Sequence, residues 1–354
     1  MGLPSISINF KTQGATAIAR SQKGTVAMIL KDASAAGAHE MASAAEIPEG
    51  LSKANKDYVA RAFLGYVDPP KKVLLYVLAA DAADLTDGLG YFATQVFDYL
   101  VGPPEITAEE ATAVASWVKS RRAEGFTPKA VLPNCTADSE AVINFTTGGI
   151  KVGNDTFTAA QYCSRIAGLI AGTPMTISCT YAPLPEVSDI TRMSKSDMDD
   201  AIDAGKFILM HDGKKVKVGR GINSLTTTTQ EKGETFKKIK VVEAVDMMLS
   251  DIQATAQDSY IGKYANSYDN KCLLATAIQG YLEQLELDGV LKRGESSVTV
   301  DLIAQEAYLK SSGVDTSAMS EQEIKEADTR DKVFLTAVIK ILDAIEEINL
   351  DITI

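Results

Sequence analysis

Both ends of the 354-residue chain alternate apolar and polar residues with a strict period of two. The apolar members of the two patterns are Ile6, Ile8, Phe10, Ile348, Leu350, Ile352 and Ile354. A period of two is typical of a β-strand with one buried face. Because chain ends fray unless other parts of the fold hold them, each terminal strand needs a sheet edge to pair with. This requirement constrains the fold more than any other feature of the sequence.

The charges near the two ends have opposite signs. Residues 1–31 contain no acidic residue, and residues 341–354 contain no basic residue. The charged residues are Lys11, Arg20, Lys23 and Lys31 near the start, and Asp343, Glu346, Glu347 and Asp351 near the end. Opposite charge would favour register and partner choice where the ends meet. They could meet within one chain or between chains, and a head-to-tail exchange of arms would build rings or helical filaments.

The interior of the chain is predicted to be mixed α/β. Short continuous apolar runs, typical of strands buried on both faces, occur at residues 25–30, 73–78, 129–132 and 141–145. Helices are predicted between them, because Thr107 with Glu110, and Thr158 with Gln161, have the spacing of capping boxes. The pattern predicts a sheet that helices cover on both faces.

A second block is predicted after Pro183 and Pro185, which indicate a boundary turn. This block opens with a helix capped by Ser194, and Asp212-Gly213 predicts a hairpin between two extended runs. Two long amphipathic helices follow. Their apolar stripes are Val242, Val245, Leu249 and Ile252 in the first, and Leu274, Ile278, Tyr281 and Leu285 in the second.

The composition disfavours an enzyme and a nucleic-acid-binding protein. The net charge is -12, so the overall field gives no affinity for phosphates. His39 and His211 have no ligand-spaced partner, and the motifs of nucleophile elbows, zinc proteases and P-loops are absent. We therefore predict no catalytic, cofactor or metal site. The start of the chain lacks the pattern of a secretory signal, and no apolar run could span a bilayer, so synthesis in the cytoplasm without membrane insertion is expected.

The order of these features resembles the contractile tail sheath proteins of bacteriophages and phage-tail-like bacteriocins, above all the compact sheaths of Gram-positive prophages. The segments that carry the resemblance are residues 2–6, 207–218, 219–226, 267–271 and 348–354. Together they extend over nearly the whole chain. No single motif is as specific as a metal-binding cysteine pattern, so the resemblance rests on their order and on the terminal strands.

The resemblance implies a structural subunit that polymerises into stacked hexameric rings around a tail tube. Arms at both ends would pair with strands of adjacent subunits. After a baseplate signal the sheath would contract, with energy stored at assembly, and drive the tube through a bacterial envelope. The implied partners are other copies of the chain, the tail tube protein, and the baseplate and tail terminator proteins, with no nucleic acid.

The resemblance also implies a domain order. Residues 1–23 would form the N-terminal arm, 24–185 an outer α/β domain that is subtilisin-like in shape, 186–340 the C-terminal sheath core, and 341–354 the C-terminal arm. Lys263 and Lys271 are the candidate contacts with the tube, and Gly14 and Gly24 are candidate hinges. Two alternatives remain open at this point: a non-contractile shell or tube subunit, and an α/β enzyme with an unrecognised site.

Overall fold

The computed structural model describes residues 17–18 and 24–353. The chain forms two compact units. Of the described residues, the larger unit comprises 24–250 and 343–353, and the smaller comprises 251–342 with 17–18. Several residues of the predicted arms lie outside the described residues: Ile6, Ile8, Phe10, Lys11, Gly14, Arg20, Lys23 and Ile354.

The larger unit is built on a seven-stranded sheet. The strands of the larger unit, in chain order, are β1 (Thr25–Lys31), β2 (Gly37–Met41), β3 (Lys72–Leu78), β4 (Tyr99–Val101), β5 (Lys129–Pro133), β6 (Val142–Phe145), β7 (Ile150–Val152), β8 (Asp155–Phe157), β9 (Lys206–Phe207), β10 (Leu209–His211) and β11 (Val216–Val218). The large sheet has the order β2-β3-β1-β4-β5-β6-β9, while β7–β8 and β10–β11 form two hairpins. Strand β2 is antiparallel to β3, and the other neighbours in the large sheet are parallel.

Helices cover this sheet on both faces, which confirms the predicted mixed α/β architecture. They are α1 (Lys53–Ala62), α2 (Thr86–Phe92), α3 (Ala108–Ala123), α4 (Cys163–Ala171), α5 (Lys195–Asp203) and α6 (Ile239–Thr255). Successive residues of β1 point into different cores: Met28 packs with residues of α1 and α4, and Ile29 packs with residues of α2 and α3. The apolar runs of the sequence are continuous because each central strand is buried on both faces.

The predicted capping residues begin helices as expected. Thr107 and Ser194 form complete capping boxes at α3 and α5. Thr158 accepts a hydrogen bond from the backbone of Gln161, but a 3-10 turn, Ala160–Tyr162, precedes α4. A capping box satisfies two free backbone donors at the start of a helix, and this local chemistry does not depend on the rest of the fold.

The boundary between the units falls at Ser250, well beyond the boundary predicted near Pro185. Two features keep residues 186–250 with the larger unit. Strand β9 pairs with β6 at the edge of the large sheet, and Leu209, Val216 and Val218 of the β10–β11 hairpin join the same core as β1. The proline-rich turn is therefore an internal turn of the larger unit.

Helix α6 does not use the apolar stripe predicted for it. Val242 is buried, but Leu249 is 40% exposed. The buried face carries other apolar residues and also charges: Asp246 accepts hydrogen bonds from Arg122 and from Lys129, which are held by α3 and β5. Buried charges persist only when they are paired, so this cluster decides which face of α6 packs against the sheet.

The smaller unit is helical with one short ladder. It contains α7 (Tyr268–Leu287), β12 (Ser297–Val300), α8 (Leu302–Ser311), α9 (Glu321–Glu326) and β13 (Leu335–Val338), and a π-helical turn, Ala256–Tyr260, precedes α7. The stripe predicted for α7 is largely buried, with Ile278, Tyr281 and Leu285 in the core. Strands β12 and β13 are antiparallel.

Asp32, which follows β1, holds the loops around the start of α1. Its carboxylate accepts hydrogen bonds from the backbone of Ser52 (2.9 Å) and of Ser34 (3.1 Å) and from the amide of Asn55 (2.8 Å). Burial by itself would raise the pKa of Asp32, but these hydrogen bonds outweigh burial and lower the pKa to about 2.

Asp32→Asn should therefore destabilise the subunit at pH 7 by about 2 kcal/mol, the scale of hydrogen bonds to a charged group. Because the pKa is lower in the folded state, the unfolded chain takes up the proton first as the pH falls. The stabilisation is thus complete above about pH 5 and is lost as the pH falls through about 2. Urea unfolding at several pH values should show the difference from wild type shrinking over this window. A difference that is constant with pH would contradict this assignment, and Asp57→Asn, on the exposed face of α1, is the control.

Candidate intersubunit interface

The C-terminal segment after Leu342 forms neither helix nor strand in the described residues up to 353. Its apolar side chains are far more exposed than those of the core: Ile345 is 86% exposed, Ile348 81%, Leu350 76% and Ile352 76%. A row of exposed Ile and Leu side chains is unusual on a protein that works alone, and it is typical of a surface that a partner covers. The period-two pattern is therefore present without a strand partner in the described part of this chain.

The beginning of this segment is fixed to the larger unit by Glu346. One carboxylate oxygen accepts hydrogen bonds from Thr180 (2.6 Å) and Ser178 (3.3 Å). The other accepts from Nε of Arg220 at 2.9 Å. The side chain of Glu346 is only 8% exposed, although Ile345 and Ile348 on either side project into solvent.

Two weaker contacts flank this residue. Asp343 pairs with Lys238, which immediately precedes α6, and Glu347 lies 3.4 Å from the guanidinium of Arg220. Burial by itself would raise the pKa of Asp343, but the hydrogen bond from Lys238 holds it below its usual value. For the guanidinium of Arg220 the signs are reversed: burial by itself would lower its pKa, but the hydrogen bond and the charge of Glu346 raise it. Both shifts follow from paired charges.

The backbone that presents these groups depends on a close approach at Gly221. A Cβ there would lie 2.9 Å from both Sγ of Cys179 and Oγ of Ser178. Because glycine has no Cβ, the backbone at Gly221 can approach this closely, and its amide donates a hydrogen bond to Oγ1 of Thr180 at 2.9 Å. The 219–226 segment, which carried part of the sequence resemblance, thus lies directly against the hydroxyls that bind Glu346.

Two acidic residues of the arm contact basic residues that the charge pattern did not single out. Asp343 and Glu346 contact Lys238 and Arg220 of their own chain, whereas the basic residues Lys11, Arg20 and Lys23 lie outside the described residues. Asp351 is exposed, and its pairing with a basic arm stays a prediction. Sequence reasoning missed Arg220, Lys238, Ser178 and Thr180. The only local signal was the arginine between two glycines, Gly219 and Gly221.

In the smaller unit, the β12–β13 ladder has open edges. Strand β13 is mostly exposed, and Val338 is 61% exposed. Within residues 17–18 and 24–353 these two strands pair only with each other, and a bridge from Leu291 to Ile341 continues the ladder. Open edges offer unpaired backbone donors and acceptors to a further strand.

The two lysines predicted to contact a tube lie in different environments. Lys263 is exposed, and its ammonium donates to the carbonyl of Asp258. Lys271 is buried: its ammonium donates to Gln305 (3.3 Å) and to the carbonyl of Ala327 (3.5 Å), and burial lowers its pKa. Because Lys271 lies at the start of α7 beneath α8 and α9, it offers no surface to a partner.

The two histidines have local structural contacts. Nε2 of His39 lies 2.8 Å from the carbonyl of Ala35, and Nδ1 of His211 accepts a hydrogen bond from the amide of Gly213 in the hairpin turn. Among the described residues, no cluster of His, Cys, Asp and Glu is arranged to hold a metal ion. Over the same residues, no helix combines the length and apolarity needed to cross a membrane.

Comparison with known proteins identifies the family. Residues 79–224 match the phage tail sheath protein central domain, and residues 231–354 match the phage tail sheath C-terminal domain. The tail sheath protein of Clostridium phage phiCD119 is 41% identical over 355 residues, which cover 99% of this chain and 98% of that protein. The chain belongs to the phage tail sheath family.

Solved sheath structures share this fold. The sheath tail protein of Desulfitobacterium hafniense aligns with a TM-score of 0.70 at 19% identity, covering 84% of this sheath protein and 94% of that chain. The helical sheath of the anti-feeding prophage in its contracted state aligns with a TM-score of 0.73 at 16% identity, covering 100% and 99% of the two chains. The resemblance seen in the sequence is confirmed.

Proposed function

We propose that this sheath protein is the structural subunit of a contractile tail sheath. It polymerises into stacked hexameric rings around a tail tube, and contraction drives the tube through a bacterial envelope with energy stored at assembly. The observation that carries the proposal is the 41% identity over the whole chain to a phage tail sheath protein. Structures of similar fold come from the contracted sheaths of two injection systems, which supports contraction rather than a static shell.

The connection between subunits is an exchange of terminal strands. Residues 348–354 of one subunit, and the stretch from Ile6 to Phe10, pair with strands of neighbouring subunits. The exposure of Ile348, Leu350 and Ile352 supports this, because the described residues of their own chain leave this apolar surface uncovered and a strand of a neighbouring subunit would bury it. Backbone hydrogen bonds give the connection its strength, and the period-two pattern fixes its register, since a slip of one residue would turn the apolar face outward.

The ladder of β12 and β13 is the sheet that receives these arms. An isolated pair of strands is marginally stable, and three or more strands with an apolar face are needed for independent stability. Two arms added to the two open edges would make a four-stranded sheet whose members come from several subunits. This arrangement fits both the exposure of β13 and the absence of a strand partner for the described part of the C-terminal arm.

Partners beyond the sheath itself are the tail tube, the baseplate and the tail terminator. The smaller unit faces the tube in this proposal, and Lys263 is the remaining candidate contact, because an exposed ammonium can meet an acidic tube surface. Lys271 is not part of the contact, since it is buried.

Negative-stain electron microscopy of the full-length protein, made alone and together with its neighbouring tail proteins, tests the function. We expect hollow cylinders in two forms, one longer and narrower, one shorter and wider, because contraction changes the stacking of the rings. Cylinders of a single fixed diameter under all conditions would favour the non-contractile shell. Small discrete particles under both conditions would contradict a sheath.

A further inference from the structure

We propose that Glu346 and Arg220 form a latch that holds residues 343–347, the arm root, on the larger unit of their own subunit. Only residues 348–354, the arm strand, are then free to reach a neighbour. The inference rests on the proposed strand exchange and adds a positioning device to it. Glu346 and Arg220 are thus positioning residues, because they orient the arm strand without being part of the exchanged strand.

The contacts of Glu346 attach the arm root to the larger unit at one residue. The carboxylate binds groups from two separate segments, the hydroxyls of Ser178 and Thr180 and the guanidinium of Arg220. Lys238, just before α6, lies 4.0 Å away and adds a third segment. Hydrogen bonds in which one or both partners are charged are about twice as strong as neutral ones, and this carboxylate accepts three of them in a nearly buried position.

The residues next to Glu346 are far more exposed than Glu346 itself. Ile345 and Ile348 are more than four-fifths exposed, and the side chain of Glu347 is 80% exposed. A single buried side chain within an exposed segment marks where the arm is attached. Beyond it, seven residues from Ile348 to Ile354 remain, and these can span about 23 Å when extended.

The glycines around Arg220 supply an independent observation. Gly221 leaves room for Ser178, Cys179 and Thr180, and its amide hydrogen-bonds Oγ1 of Thr180. The hydroxyl of Thr180 can therefore donate to Glu346 while it accepts from Gly221. In the Gly219-Arg220-Gly221 motif, Gly219 is needed for packing, because a Cβ there would lie 3.0 Å from Ile208. Arg220 and Gly221 form the receptor for the arm root.

The latch favours assembly by ordering the root in advance. Without it, residues 343–354 would all be mobile before pairing, and each residue that becomes fixed on assembly loses conformational entropy. With it, only the arm strand is ordered on pairing, and the strand leaves the subunit from one defined point. Ordering a segment before binding raises affinity without any new contact.

The test compares two adjacent glutamates in the full-length protein. Glu346→Gln keeps the shape of the side chain and removes its charge, and we expect the threshold concentration for polymerisation, measured by sedimentation, to rise about tenfold. Glu347→Gln makes the same change on the exposed neighbour and should shift the threshold less than about twofold.

Arg220→Met, which keeps an apolar stem, should raise the threshold as Glu346→Gln does. The double variant should be no worse than either single variant, because both substitutions remove the same latch.

A second readout separates positioning from general stability. In unassembled subunits below the threshold, glutamyl endopeptidase should cut after Glu347 several times faster in Arg220→Met than in wild type, because the root is released while the thermal unfolding midpoint changes little. Equal cutting and equal thresholds in both variants would overturn the latch. If Arg220→Met lowers the thermal unfolding midpoint, the threshold concentration for polymerisation of the milder variant, Glu346→Gln, decides between a latch and a general loss of stability.

The outcome of removing residues 349–354 distinguishes the two proposals. If the truncated chain polymerises normally, strand exchange itself fails. If truncation prevents polymerisation while Glu346→Gln and Arg220→Met assemble like wild type, strand exchange stands and only the latch is wrong.

Discussion

Removal of residues 349–354 should abolish polymerisation while leaving the subunit folded. The segment contributes little to its own subunit, because Leu350 and Ile352 are each 76% exposed. In the assembled sheath the same side chains would be buried, together with Ile354. Burial of three such side chains is worth about 5 kcal/mol, which corresponds to more than three orders of magnitude in the threshold concentration. Sedimentation and electron microscopy measure polymer formation, and circular dichroism with thermal unfolding measures the fold.

The alternating pattern provides the matched control. Replacing Ile348, Leu350 and Ile352 with Thr keeps the length and the strand propensity of the arm, and should prevent polymerisation nearly as well as truncation. Replacing Asn349 and Thr353 with Ser changes the opposite face and should leave assembly close to wild type. Loss of folding in the truncated chain would instead indicate that the last strand pairs within its own subunit, and normal polymers would rule out the exchange.

The central strands could be predicted from sequence because both of their faces pack against helices. Strands β1, β3, β5 and β6 are buried on both faces, so each appears as a continuous apolar run that needs no knowledge of its neighbours. The caps at Thr107 and Ser194 were equally predictable, since a capping box is completed within four residues. Local signals of this kind carry most of the predicted fold.

Elements that depend on distant partners could not be predicted. Strand β2 was missed because only Met41 of its five residues is buried, and its pairing with β3 joins residues more than thirty positions apart. The stripe of α6 was misjudged because the helix packs through Asp246, whose partners Arg122 and Lys129 lie more than a hundred residues away. A hydrophobic pattern gives no weight to buried charges, so it selected Leu249 instead.

The same distinction holds at the candidate interface. The alternation of Ile348, Leu350 and Ile352 is local, and these side chains are exposed in the described chain, while their pairing with a neighbouring strand stays a prediction. The anchoring of Glu346 on Arg220 is not local, because 126 residues separate the two positions. The opposite charges of the two chain ends directed attention to the basic residues near the start and not to Arg220. The sequence alone does not tell which of the 35 basic residues an acidic residue will contact.

Gly168→Ala should cost the larger unit about 3 kcal/mol or more of its free energy of unfolding. Gly168 lies in α4, where α4 crosses α1, and a Cβ there would lie 1.9 Å from the carbonyl oxygen of Ala62 and 2.6 Å from its carbonyl carbon. The obstacle is backbone and not the end of a flexible side chain. The two helices would have to separate, and the core beneath them, including Tyr58 and Ile166, would lose close packing.

Gly280→Ala is the matched control, because it makes the same change within helix α7 where the added methyl group meets nothing within 4 Å. Alanine is the better helix former, so this variant should be stabilised by up to about 1 kcal/mol. Urea unfolding of both variants, in subunits that lack residues 349–354 so that assembly does not interfere, should give shifts of opposite sign. Shifts of the same sign would show that helix propensity, not the contact between α1 and α4, decides the effect. A loss at Gly168 with a gain at Gly280 would show that the close contact between α1 and α4, which holds α4 against the sheet, decides the effect at Gly168 and that helix propensity does not.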